Sequence, residues 1–186
     1  GYARGLDAFA FSAAVRDVKA QLATYGFVEK HLIEAFALVR DATRRALGIT
    51  PYETQLIAAR TMLDNRLVEM ATGEGKTLAA LLTAATAGLS GVPIHVITSN
   101  DYLVQRDAEN LKPVYAALGL SVGFLTQAST PEQRRAAYAC DITYCTAKEL
   151  VFDYLRDRLV FGQRRDDLQR RVAALNDPSA AAPKPL

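Results

Sequence analysis

Residues 67–89 read Leu67-Val68-Glu69-Met70-Ala71-Thr72-Gly73-Glu74-Gly75-Lys76-Thr77 followed by LAALLTAATAGL, and this stretch decides the fold. The short apolar run Leu67 to Met70 predicts a strand, the Gly-rich residues that follow predict a tight loop, and the Ala- and Leu-rich stretch Leu78 to Leu89 predicts a helix. A strand, a loop carrying G-x-G-K-T and a helix form the context in which a phosphate-binding loop is credible. Gly73 and Gly75 can take positive φ and turn backbone N–H groups inward without a Cβ in the way. The N-terminal end of the helix adds its partial positive charge. Lys76 is expected to set its ammonium between the β- and γ-phosphates of a nucleoside triphosphate, and Thr77 to offer its hydroxyl to a bridging Mg2+. The candidate contacts in the loop are therefore Thr72, Gly73, Glu74, Gly75, Lys76 and Thr77, with Thr77 the metal-facing residue. The first glycine of the full G-x-x-x-x-G-K-T pattern is replaced by Met70.

Working outward, the pattern repeats. Pro93 to Thr98 predicts a buried strand, Asp101 to Leu118 a helix, Ser121 to Leu125 a strand, Pro131 to about Ala139 a helix with proline in its first turn, Asp141 to Tyr144 a fourth strand and Tyr144 to Leu159 a return to helix. Strands alternating with helices imply a parallel sheet covered on both faces. Upstream, apolar residues recur at three- and four-residue steps from Leu6 to Leu47, with Val15, Val18 and Leu22 on one stripe and Leu32, Phe36 and Val39 on another. Two helices are expected there, the first broken at Gly26 and the second stopped by Gly48 and Pro51. A third should cover Glu53 to Leu63. Arg164 to Leu175 is highly charged and reads as a surface helix, and the Pro- and Ala-rich Asn176 to Leu186 reads as loosely ordered.

Composition excludes more than it identifies. The 186 residues are 50% hydrophobic and 23% charged, the balance of a globular chain. Twenty-two basic and 20 acidic residues leave a net charge of only +2, without the basic field expected of a nucleic-acid binder. Cys140 and Cys145 read as small buried hydrophobes, and His31 and His95 are not spaced with them as a zinc motif. No apolar run approaches the ~20 residues of a spanning helix, and the start GYARGLDAFAF lacks the regions of a signal peptide, so a cytoplasmic location is expected.

Several segments together resemble the SecA family, the ATPase motors of bacterial preprotein translocation. EMATGEGKT (Glu69 to Thr77) is similar to that family's phosphate loop. EAFALVRDATRRALGITPYETQ (Glu34 to Gln55) resembles the segment carrying its adenine-reading glutamine. VITSNDYLVQRDAE (Val96 to Glu109) and DITYCTAKELVFDYLRD (Asp141 to Asp157) resemble its next two helicase-type motifs. The resemblance implies an α/β P-loop NTPase fold with a helicase-like, RecA-like parallel sheet, incomplete here and preceded by an N-terminal helical extension. It implies ATP as the nucleotide, with Gln55 on the adenine edge and Ile49 and Tyr52 packing near the base. A primary amide presents one donor and one acceptor together, matching adenine and not guanine. Asn100, Asp101, Arg106 and Asp107 fall in a region that the family uses for coupling, although a helix cap and a solvated charged face explain them equally well. Asp153, Tyr154 and Arg156 mark the family without a chemical role of their own. Thr50, Ala71 and Cys145 depart from its usual arginine, basic residue and glycine, so the chain reads as a divergent branch.

The acidic D-E motif that would hold Mg2+ and activate water is not found, because Asp166-Asp167 and Asp177 lack an apolar strand before them. The expected organisation is a helical extension over residues 1–48, a partial nucleotide-binding domain over 49–160 and a charged, Pro- and Ala-rich tail over 161–186. Together these form an N-terminal piece of a longer protein with no catalytic residue of its own. In that parent protein the implied partners are unfolded preprotein and a membrane channel, at a peripheral membrane location. Two other readings stay open, a nucleic-acid helicase using the same core and a non-catalytic nucleotide-binding scaffold. The absence of evident stacking aromatics in a basic groove weighs against the first, and an intact Lys76 and Thr77 against the second.

Overall fold

The computed structural model describes residues 5–161. The two upstream stripes become helices α1 (Ala8–Tyr25) and α2 (Glu29–Leu47). Asp7 caps α1 by accepting the Ala10 N–H at 2.8 Å, and Phe11, Val15, Val18 and Leu22 form its buried face. Gly48 stops α2 in the left-handed conformation at φ 70°, its N–H closing onto the Arg44 carbonyl. Helix α3 (Glu53–Leu63) spans the expected residues, and α4 (Lys76–Leu89) starts two residues earlier than its apolar run, which puts Lys76 and Thr77 in its first turn.

Three parallel strands follow, β1 (Ile94–Thr98), β2 (Val122–Phe124) and β3 (Ile142–Thr146), in the order β1-β3-β2. Ile142 of β3 lies opposite both Ile94 and Val122. Helices α5 (Asp101–Ala117) and α6 (Pro131–Tyr138) connect the strands, and α7 (Ala147–Phe161) leaves the end of β3. The first of the expected strands, Leu67 to Met70, does not form: these residues are irregular and Leu67 is 99% exposed. A strand needs a neighbour to take its backbone N–H and C=O groups, and none of the three strands lies beside it. The segment at Asp141 to Tyr144 runs on to Thr146 before the chain turns helical at Ala147. The charged stretch 164–175 and the tail 176–186 lie outside the described residues.

All five residues of β3 are buried, as a central parallel strand requires. Its alternation divides two layers. Ile142 and Tyr144 join the main core, where α1, α2, α4 and α5 pack together with the sheet. Cys145 points to the opposite face, into a small cluster with Leu125 and Ala137. Gly123 permits the close approach of α6 to β2, since a Cβ there would sit 2.8 Å from the Ala137 Cα. In the main core the hydroxyls of Tyr115 and Tyr144 satisfy each other at 2.8 Å. Burial pushes the Tyr144 phenol up to about 12 and the Tyr115 phenol up as well, so both stay neutral.

Asp41 ties the helical layer together. Its buried carboxylate accepts from Arg44 Nη2 at 2.7 Å and from Arg45 Nε at 2.5 Å, while Arg45 also donates to the Leu6 carbonyl and lies 4.7 Å over the Phe11 ring. Burial alone would raise the Asp41 carboxyl, but the two arginines outweigh it and hold it below the ordinary value of 3.8. A lowered folded-state value means that the stabilisation is complete above the unfolded value and is lost as pH falls through the folded one. Asp41→Asn should therefore cost about 2 kcal/mol at neutral pH in urea unfolding. The deficit should shrink below about pH 4, where the wild-type chain loses the same contribution.

Candidate functional site

Residues 64–75 join the end of α3 to the start of α4, and the Gly-rich loop occupies 71–75. Gly73 and Gly75 take φ of 89° and 82°, conformations that cost a residue with a Cβ. Gly75 is the N-cap of α4, and no side chain caps the helix there. Leu78 N–H closes onto the Gly75 carbonyl at 2.9 Å, but the N–H groups of Gly75, Lys76 and Thr77 have no acceptor among the described residues, which is the condition for an anion site at a helix start. Thr72, Gly73, Glu74 and Lys76 are exposed and Thr77 is half-buried. Among the described residues Lys76 makes no ion pair. A Cβ at Gly73 would meet nothing within 4 Å, so the outer side of the loop is open to a ligand.

The inner side is closed by Gln55. This side chain is 4% exposed; its Oε1 accepts the Tyr52 N–H and its Nε2 donates to the Glu74 carbonyl, both at 2.9 Å. The first bond closes the start of α3 as the N3 half of a capping box, and the second pins the phosphate loop to α3. A Cβ on Gly75 would fall 2.4 Å from Gln55 Nε2, so Gly75 serves both the backbone angle and the space for the amide. Glu74 braces the loop from within, its carboxylate accepting the Ala71 N–H at 3.3 Å. Tyr52 is 74% and Ile49 47% exposed, and their apolar surface is free to take the face of a ring. The structure thus brings Tyr52, Gln55, Glu74 and Gly75 into one bonded unit, with Lys76 and Thr77 on the adjoining turn.

These residues fit a magnesium-bound triphosphate on geometric grounds. The start of α4 has no side-chain cap, Lys76 is exposed and without an ion pair among the described residues, and Thr77 stands one residue beyond Lys76. No group of three or more His, Cys, Asp or Glu able to hold a metal by itself occurs among the described residues, so a cation here would depend on Thr77 and the phosphates. The carboxylates that these residues bury are each matched by arginine: Asp41 by Arg44 and Arg45, Asp107 by Arg106, Glu149 by Arg134, and Asp153 by Arg134 and Arg156.

The second and third motif regions are distributed differently. Asn100 caps α5 by accepting the Leu103 N–H at 2.9 Å, and Asp101 accepts the Gln127 N–H at 2.9 Å, which anchors the loop after β2. Asp153 is buried and bonded to Arg134 and Tyr138, whereas Tyr154 and Arg156 are exposed. Sequence reasoning missed Arg134 and Glu149; a signal was available in Glu149 and Asp153, which lie four apart on a helix beside exposed apolar residues.

A parallel sheet under helices on both faces, with a Gly-rich loop leading into an uncapped helix, defines a phosphate-loop α/β domain of the DEAD-like, RecA type. Residues 3–177 match the family described as the SecA DEAD-like domain. The chain is 49% identical over 164 residues to the protein translocase subunit SecA 2 of Nitrosospira multiformis, covering 88% of this chain and 25% of that protein. It is 47% identical over 175 residues to the SecA 2 subunit of Bordetella avium, covering 94% and 26%. It is 46% identical over 151 residues to the protein translocase subunit SecA of Treponema pallidum, covering 81% and 16%. The chain belongs to the SecA family, and it spans about a quarter or less of the length of these relatives.

The contact between Gln55 and Gly75 yields a double-mutant test. Gly75→Ala should destabilise the chain by about 1–3 kcal/mol in urea unfolding, from the backbone angle and the displaced amide together. In a Gln55→Ala background the same substitution should cost less, since the clash is gone; equal costs in both backgrounds would show that the two residues do not interact.

Proposed function

We propose that this chain is the ATP-binding part of a SecA-like motor which, in the whole protein, couples ATP hydrolysis to the movement of unfolded polypeptide through a membrane channel. The observation that carries the reading is the uncapped loop at Gly73–Thr77, with Lys76 making no ion pair among the described residues and Gln55 fastened beneath it. The relatives are named as protein translocase subunits, which supports the coupled function.

The loop amides and Lys76 would hold the β- and γ-phosphates, Thr77 would bind Mg2+, and the exposed faces of Tyr52 and Ile49 would cover the base. Mg2+ supplies neutralisation of the phosphate charge. Gln55 keeps one free N–H and one free lone pair beside its bonds to Tyr52 and Glu74, but it is buried, so it reads adenine only when the side chain or the loop over it moves, and base recognition and loop restraint draw on one side chain. Residues 1–48 serve as a helical extension that buttresses the domain over 49–160. No helix among the described residues is long and apolar enough to cross a membrane, in keeping with a cytoplasmic motor that meets the membrane through its partners. The buried carboxylates described above are all engaged by arginines, and with no acidic D-E motif in the sequence we infer that these 186 residues bind ATP but hydrolyse it very slowly.

Lys76→Ala should weaken ATP binding by at least tenfold, about 1.4 kcal/mol or more, in a titration with a fluorescent ATP analogue, while the far-ultraviolet circular dichroism stays unchanged. Unaltered affinity would defeat the assignment of the loop. Gln55→Ala should reduce the preference for ATP over GTP; a wild-type chain that binds the two equally would remove Gln55 from base recognition.

A further inference from the structure

Helix α7 is inverted. Its inward residues are two acids, Glu149 and Asp153, each about 5% exposed, whereas Val151, Phe152, Leu155 and Leu159 are between 49% and 82% exposed. An amphipathic helix ordinarily docks by its apolar stripe. Among the described side chains of α7, residues 147–159, the apolar contribution to the interior comes from Leu150, which packs on the small cluster of Leu125, Ala137 and Cys145, separate from the main core.

What holds α7 is Arg134 of α6. Its side chain is only 12% exposed, and it donates from Nη1 to Asp153 at 2.7 Å and from Nη2 to Glu149 at 2.5 Å. Two further N–H groups, from Nη2 and Nε, donate to the carbonyls of Thr126 and Ser129 at 3.1 and 3.2 Å. The guanidinium thus fastens three pieces, α6, the loop after β2 and α7, through a planar fork that suits two carboxylates at once. Tyr138 adds a bond to the same Asp153 oxygen at 2.9 Å. Arg156 also reaches Asp153 at 2.9 Å, but it lies on α7 itself and is mostly exposed, so it adds nothing to docking.

We propose that α7 is a latch helix, docked on the sheet by charge with Arg134 as its positioning residue, and able to leave as a unit while the sheet and the phosphate loop stay folded. The reason lies in the balance of forces. Undocking returns two carboxylates and a guanidinium to water, which solvates them well, and among the described side chains of the helix it newly exposes little apolar surface beyond Leu150. Once Arg134 is removed, the buried carboxylates lose their inward cation, and burial then favours release of the helix. A helix held by an apolar face would not respond in this way.

Hydrogen exchange of the 186-residue chain, read by mass spectrometry, tests the latch. In Arg134→Gln, peptides within residues 147–158 should exchange roughly tenfold faster or more than in the wild type, while those of α4 and α5 stay within about twofold. Arg134→Lys keeps the charge but loses the fork and should fall between the two. Unchanged exchange in α7 of Arg134→Gln would overturn the proposal by showing that packing holds the helix. An equal rise in α4 and α5 would overturn it as well, because Arg134 would then support the whole domain and not one helix.

Discussion

Strand β3 has no free edge. Pairing in parallel with β1 on one side and β2 on the other, it must bury every residue, and its alternation commits Ile142 and Tyr144 to one layer and Cys145 to the other. The rest of the architecture follows from how unequally those layers are filled. On one face α1, α2, α4 and α5 build a continuous apolar core. On the other face α6 and α7 cover the sheet with a small apolar cluster and an arginine joined to two acids. Apolar packing is non-directional and summed over many contacts, whereas a buried ion cluster depends on each partner being present. The two sides of one sheet are therefore held by different physics.

The phosphate loop belongs to the well-packed side. Its helix α4 buries nine of its fourteen residues, so the first turn carrying Lys76 and Thr77 has a firm base. The loop before it lacks such support: the residues leading in, 67–70, have no strand partner. Gln55 takes over that task by binding the Glu74 carbonyl from α3. One amide thus does locally what a neighbouring strand would otherwise do, and glycine at position 75 is the condition for it to fit.

Most elements could be read from the chain because their signals are local. Helix α3 and the stops at Gly26 and Gly48 depend on neighbouring residues and emerged within a residue or two. The apolar run Leu67 to Met70 has the composition of a strand, but composition cannot supply a partner, and the prediction failed there. The loop residues were recognised from glycine spacing and resemblance. That Gln55 would be bonded to Glu74, nineteen residues away, had no local trace. Arg134 was invisible for the same reason. Its partners lie fifteen and nineteen residues on, across a strand, and Glu149 and Asp153 read as part of an ordinary charged helix until the exposure of Phe152 and Leu155 is seen. Long-range polar pairing is decided by topology, which periodicity does not report.

The central claim is that the loop at Gly73–Thr77 and the Gln55 amide together hold ATP. It is tested most directly by nuclear magnetic resonance of the nitrogen-labelled chain during titration with Mg·ATP. The account predicts that the backbone amides of Gly73, Gly75, Lys76 and Thr77 and the side-chain amide of Gln55 shift together and saturate at one concentration, as Gln55 takes the base. Saturation elsewhere in the chain with these resonances unmoved, or no saturable shift at all, would contradict it.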